Sequence, residues 1–217
     1  MSKTDNEKKI WDLLMKEIKN PYGVAGLMGN LMAESSLNPF CKTGGKADIK
    51  KMPGQEYVDK VMCGHISSEN FAHDGVAFGL AQWCYYSRKE ALYKCIRENG
   101  LGLGSIEGQV GYILKELPKY KTVWKTLQNA VSVGEASDIV LLRYEKPANV
   151  SDKVKAKRAL YAEGYYERHA AGNSGIMKIP QMIDVLEDIL EHEMLHIERH
   201  DRLMTVIADL SEMAKGE

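Results

Sequence analysis

Glu34 has the residue type and position best suited to chemistry in this chain. Leu27, Leu31 and Glu34 stand at i, i+4 and i+7, so on a helix the carboxyl continues a buried apolar stripe at its C-terminal end. Partial burial penalises an ionised carboxylate, and the negative end of a helix dipole repels one. Both effects favour a carboxyl that keeps its proton near neutrality, which is what a general acid requires. Glycines at 23, 26 and 29 on the same segment allow a neighbouring element to approach closely and leave room beside the carboxyl.

A second constellation lies at 192–196, where His192, Glu193 and His196 satisfy the HExxH pattern of zinc-peptidase helices. Two histidines one turn apart can share a metal while the glutamate activates water. The third ligand fails: His200 continues the same helical run, about 12 Å from His192 at a rise of about 1.5 Å per residue. No glycine breaks the run between His196 and His200. No metal and no cofactor are expected, and the histidines read as part of a packing seam. The four cysteines, Cys41, Cys63, Cys84 and Cys95, occur singly, with no CxxC pair. They are expected to be reduced thiols. Cys63 and His65 lack the second ligand pair that a zinc site needs.

These groups must be held by a chain of 217 residues, 44% hydrophobic and 27% charged. That is an ordinary globular composition, long enough for one domain with an appendage. No apolar run approaches the roughly 18 residues of a membrane span. Residues 1–20 alternate charge with apolar side chains, unlike the uninterrupted core of a secretory signal. The expectation is synthesis in a bacterial cytoplasm and another route out for any function beyond it. Charge divides the chain: from Gln181 onward ten acids against three bases give −7, which leaves +6 for residues 1–180 of a chain whose formal net charge is −1. A basic body suits a polyanionic partner.

The body, residues 1–175, reads as a series of helices. Thr4 with Glu7 forms a capping box ahead of Ile10, Leu13, Leu14 and Ile18. Asn20-Pro21-Tyr22-Gly23 reads as a turn. The helix carrying Glu34 follows and should end by Asn38-Pro39. Residues 40–75 look irregular apart from a short helix near 55–62, and the type of the apolar segment 76–83 stays open. Ser87 with Glu90 forms a second capping box, Ser105 opens another helix, and further helices are expected near 122–130, 135–144 and 152–170. No βαβ alternation occurs, so the fold class is mainly α. The segment 180–217 carries an apolar stripe along one long acidic amphipathic helix, suited to self-association or to docking a partner.

Three segments carry a family resemblance. GLMGNLMAESSLNP at 26–39 resembles the glutamate-helix motif of lysozyme-like muralytic enzymes. FGLAQW at 78–83 resembles their Gly-Leu-x-Gln segment, and RYEKPAN at 143–149 their aromatic-Glu-x-Pro segment. In this order and spacing they resemble the phage tail lysozyme family, over about residues 7–170. The resemblance implies an α+β lysozyme-like fold that cleaves the N-acetylmuramic acid–N-acetylglucosamine β-1,4 bond of peptidoglycan. It implies Glu34 as the catalytic acid, Gln82 and Trp83 lining a saccharide groove, and Tyr144 near that groove. It also implies action on the wall after phage-mediated release or as a virion component. Neither nucleic acid nor a membrane span enters this reading.

Glycosidases pair the acid with a second carboxylate. Asp74, just ahead of the 75–83 segment, is the first candidate, followed by Asp48 and Glu69. Lytic transglycosylases manage with one glutamate, closing an anhydro ring through the substrate's own 6-hydroxyl. Three rival readings stand beside the enzyme. They are a non-catalytic wall-binding or tail-structural module of the same fold, the zinc peptidase, and a helical adaptor working through its acidic tail.

Overall fold

The computed structural model describes residues 3–170. The expected helix at 180–217, with its HExxH run, lies outside the described residues. Within them the fold is mainly α, with ten helices and one two-stranded antiparallel sheet. Among the described residues no helix is long and apolar enough to cross a membrane.

Helix α1 (Lys3–Ile18) buries Ile10, Leu14 and Ile18 as its spacing requires. Glu7 reaches helix α10 (Asp152–His169): its Oε1 accepts from Arg168 Nε at 2.8 Å and lies 2.8 Å from His169 Nε2. Asn20 and Pro21, read from the sequence as a turn, start helix α2 (Pro21–Ser35) instead. The Asn20 side chain accepts from the amides of Tyr22 and Gly23, and proline takes the first helical position, where its missing N–H is no loss. Left-handed Ser36 and Leu37 end α2 just before Asn38-Pro39.

The glycine stripe of α2 admits neighbouring helices as its spacing suggests, but those helices fill the space, so the room expected beside the glycines is not there. A Cβ at Gly26 would lie 2.5 Å from that of Ala136, and one at Gly29 would lie 2.5 Å from the carbonyl oxygen of Arg158. These contacts seat α9 (Val133–Val140) and α10 directly on the α2 backbone. α2 thereby becomes the central helix, with Val24, Leu27, Met28 and Leu31 fully buried.

The segment expected to be irregular holds more structure than its sequence suggests. It contains β1 (Lys42–Gly44), α3 (Ala47–Lys51), α4 (Gly54–Met62) and α5 (Ser68–His73). Only α4 has enough amphipathic periodicity to be read in advance. β1 pairs with β2 (Val76–Phe78), with Lys42 opposite Phe78, which identifies part of the 76–83 segment as strand. Helix α6 (Tyr86–Glu98) begins before Ser87, so Ser87 and Glu90 lie inside it; Tyr85 precedes it without a side-chain cap. Ser105 does cap α7 (Ile106–Glu116), accepting from Gly108 N at 3.0 Å. A 3₁₀ turn at Leu117–Lys119 and α8 (Lys121–Asn129) lead to α9. The expected helix at 135–144 then changes character, because Leu141–Glu145 form a π turn with Lys146 N bonded to Leu141 O at 2.9 Å. π turns inside helices often mark functional positions.

Candidate active site

Glu34 lies in the last turn of α2 with a fifth of its side chain exposed. Its Oε1 accepts from Arg158 Nη2 at 2.6 Å. Arg158, 7% exposed, donates through Nη1 to Asn30 Oδ1 at 2.9 Å. Asn30 is fully buried one turn before Glu34 and is held by donating to Gly26 O at 2.9 Å and Ser137 O at 3.1 Å. The carboxyl is therefore aimed by a chain of contacts running through α9 and α10. Sequence reasoning considered burial and the helix dipole, but not a guanidinium arriving from a residue 124 positions away.

The next residue joins this carboxyl to the 78–83 segment. Ser35 is buried, and its hydroxyl donates to Leu80 O at 2.9 Å. Gln82 sits at the end of that turn in a left-handed conformation, φ 43°, which costs a non-glycine residue energy and persists only when its surroundings hold it. Its Nε2 donates to Gly79 O at 2.9 Å and to Cys41 O at 3.3 Å, and its Oε1 accepts from Thr43 Oγ1 at 3.0 Å. Cys41 completes the link: burial and then the charge of Glu34 push its thiol pKa up. The turn is fixed from behind by buried Gln109, whose Oε1 accepts from Leu80 N and whose Nε2 donates to Pro39 O, both at 2.8 Å. Glu34 and Gln82 thus share one neighbourhood.

Trp83 and Tyr144 are placed differently from the groove-lining expectation. They are 0% and 2% exposed, so neither offers a free face to a sugar ring. Both are bound to Glu116 at the end of α7. Tyr144 OH donates to its Oε2 at 2.7 Å and Trp83 Nε1 to the same oxygen at 3.3 Å. Arg88 forks onto this carboxylate, Nε to Oε1 at 2.7 Å and Nη2 to Oε2 at 2.8 Å, and stacks over the Tyr144 ring. Burial alone would raise the Glu116 pKa, but Arg88 and the two aromatic donors outweigh it and hold the carboxyl below the usual range. The exposed aromatics that follow the Gln82 turn are Tyr85 and Tyr86, at 59% and 44%.

Glu145 ends the π turn next to Tyr144 and went unread as a functional residue although it lies within the quoted RYEKPAN segment. Its Oε1 is buried without a hydrogen-bond partner. Burial raises its pKa first and the negative charge of Glu34 second, with Arg88 and Arg158 opposing, so that it is pushed up to about 8. The effect on stability has a definite sign. Between its ordinary value of 4.5 and about 8 the unfolded chain releases this proton while the folded chain keeps it. Folding stability should therefore fall as pH rises through that window, by at most about 1.4 kcal/mol per pH unit from this group, and level off above it. Glu145→Gln should remove this component of the slope. Urea midpoints of both proteins at pH 5, 7 and 9 measure it, and parallel pH dependences would contradict it.

Asp74 is committed elsewhere. Its side chain is 5% exposed; Oδ1 takes Lys89 Nζ at 2.5 Å and Val76 N at 2.8 Å, and Oδ2 accepts from the Tyr57 hydroxyl. Among the described residues no hydrogen bond or ion pair joins it to Glu34. Asp48 and Glu69 are exposed. Cys63 Sγ lies 3.2 Å from His65 Nδ1, and among the described residues no cluster of three metal-ligating side chains occurs. All four cysteines are unpaired. Arg158, Asn30, Arg88, Glu116 and Glu145 were missed. For Glu116 a signal existed, since it ends the apolar stripe of α7 as Glu34 ends that of α2.

A family model described as phage tail lysozyme matches residues 5–168. No curated protein and no solved structure matches the chain.

Proposed function

The chain belongs to the phage tail lysozyme family, and from that premise we propose that it cleaves the N-acetylmuramic acid–N-acetylglucosamine β-1,4 bond of bacterial peptidoglycan, with Glu34 as the general acid. The observation that carries this reading is the Ser35–Leu80 hydrogen bond, which ties the end of α2 to the Gln82 turn next to a Glu34 side chain that is one fifth exposed. A glycosidic oxygen arriving there would meet a carboxyl whose direction is held by Arg158 and Asn30, and proton donation to that oxygen lets the bond to the anomeric carbon break. Gln82 reads as a contact for acetamido groups. Tyr85 and Tyr86 take the stacking role that buried Trp83 cannot fill. The reaction would take place on the wall, after phage-mediated release of the protein or as part of a virion.

The rival within the same fold is a wall-binding module in which Glu34 serves only to pin Arg158, and the ion pair itself is the observation that favours it. Clearing of purified cell-wall suspensions separates the two. The enzyme should clear walls at a rate unchanged by chelator, and Tyr85→Ala with Tyr86→Ala should raise the wall concentration needed for half-maximal rate several-fold. Binding without clearing would favour the module, and loss of clearing with chelator would favour a metal mechanism.

A further inference from the structure

Two buried side chains hold the apex of the Gln82 turn. The turn closes with Gln82 N donating to Gly79 O at 3.1 Å, and Leu80 lies at its apex with both peptide groups gripped. The Leu80 carbonyl accepts from Ser35 Oγ at 2.9 Å, and its amide donates to Gln109 Oε1 at 2.8 Å. Gln109 Nε2 in turn donates to Pro39 O and Leu103 O, both at 2.8 Å. Ser35 and Pro39 flank the left-handed pair Ser36 and Leu37. The contacts therefore close a ring, from Ser35 through Leu80 and Gln109 to Pro39 and back along the chain. Glu34 is the residue just outside it.

Filling the space would not require these groups. An apolar side chain costs less to bury than an amide or a hydroxyl, and it fixes volume rather than direction. A buried polar contact with every partner in place specifies one geometry instead. Gln109 is fully buried, and it lies so close to the turn that a Cβ at Gly79 would stand 2.6 Å from its Oε1. Glycine at that position, with φ 77°, is what admits the amide. The turn held this way also carries strain, since Gln82 has φ 43° and such a conformation persists only where its neighbours enforce it.

We propose that Gln109 and Ser35 are positioning residues for the reaction, acting through Leu80 to hold the Gln82 turn at a fixed register from Glu34. The inference rests on the proposed role of Glu34. Neither side chain exchanges a proton with the substrate; each grips one peptide group of the same residue, from α7 and from the end of α2. A glycan seated on the turn then presents its glycosidic oxygen to the carboxyl at one distance. A displacement of about 1 Å made far from the chemistry can cost about 10²-fold in rate. Loss of either grip frees one side of Leu80 and lets the turn shift against α2. The glycan still binds, but it is aligned with Glu34 less often.

The test combines wall-clearing kinetics with amide hydrogen exchange in the intact chain, on wild type, Gln109→Met, Ser35→Ala, the double variant and Glu34→Gln. In each single variant the maximal rate per folded molecule should fall about tenfold or more, while the wall concentration for half-maximal rate stays within about twofold. Because both side chains act on Leu80, the double variant should lose clearly less than the product of the two single losses. The Leu80 amide should exchange about tenfold faster in Gln109→Met, with the amides of α1 and α10 keeping their protection. A merely structural role would lower the urea midpoint and leave the rate per folded molecule unchanged, and that result would overturn the proposal. So would losses that multiply in the double variant, or a Leu80 amide whose exchange ignores Gln109→Met. Ser35→Ala removes a single hydroxyl and carries the kinetic test if Gln109→Met does not fold. Glu34→Gln tells the two levels apart. Full clearing by that variant removes the acid itself, whereas slow clearing by it beside full clearing by Gln109→Met and Ser35→Ala removes the positioning alone.

Discussion

Glu34→Gln is expected to slow wall clearing by about 10²- to 10⁴-fold, the range contributed by a positioned general acid. The substitution keeps the shape of the side chain and one oxygen, so the hydrogen bond from Arg158 Nη2, now 2.6 Å, has an acceptor in either protein. What is lost is the proton that the leaving oxygen must receive. Some stability is lost as well, because Arg158 is 7% exposed and would lack a counter-charge. Rates should therefore be compared at a temperature where circular dichroism shows both proteins folded. Glu34→Asp serves as a second probe: it keeps the acid but withdraws it by one methylene, and should lie between wild type and Glu34→Gln. Equal clearing by the glutamine variant would leave Glu34 with only its structural ion pair.

The largest expected effect on stability lies at Asp74. Lys89 is fully buried, its ammonium 2.5 Å from Asp74 Oδ1 and 4.4 Å from the centre of the Phe71 ring. Asp74→Ala would leave that charge in an apolar setting with Val76 O, 3.0 Å away, as its remaining partner. It would also strand the Tyr57 hydroxyl. Breaking a buried pair from one side costs about 3–5 kcal/mol, a large share of the about 5–15 kcal/mol that holds an ordinary domain together. The urea midpoint should fall accordingly with little change in slope. Replacing both partners, Asp74→Leu with Lys89→Met, should recover the part of the loss that comes from the uncompensated charge, while the Tyr57 hydroxyl and Val76 N remain without the acceptor that Asp74 supplied. The same variant settles which role Asp74 has. Wall clearing per folded molecule should be unchanged in Asp74→Ala, whereas a loss comparable to that of Glu34→Gln would return Asp74 to the chemistry.

The helices were legible where sequence and local physics agree. α1, α2, α4 and α7 each present an apolar stripe of helical period or a clear cap, and each lies within a few residues of the expected position. The glycine stripe of α2 was legible in part: the close approach of neighbouring helices was read from it, but not that these helices would take up the room expected there. β1, α3 and α5 were missed because they have between three and six residues each, too few to show a period. The π turn at 141–145 was missed because a single extra residue in a helical ladder leaves no compositional mark.

The site divides along the same line. Glu34 was found because its neighbours at i−3 and i−7 are local and its segment resembles a known motif. Arg158, Arg88 and Glu116 were not, because their meaning comes from pairings across the fold: Arg158 with Glu34 and Arg88 with Glu116. Trp83 and Tyr144 show the opposite failure. Their motifs were recognised, but an aromatic residue in a motif can serve by lining a groove or by holding the carboxylate behind it. Only burial and the shared bond to Glu116 Oε2 decide between those roles.

The most direct measurement is mass spectrometry of the fragments released from purified peptidoglycan by wild type and by Glu34→Gln. Wild type should release disaccharide-peptides cut between N-acetylmuramic acid and N-acetylglucosamine, with reducing ends if water completes the reaction and anhydro ends if the substrate's own 6-hydroxyl does. Glu34→Gln should release almost none. Fragments cut at amide bonds with the glycan intact, or the same glycan fragments from both proteins at the same rate, would contradict a glycosidase built on Glu34.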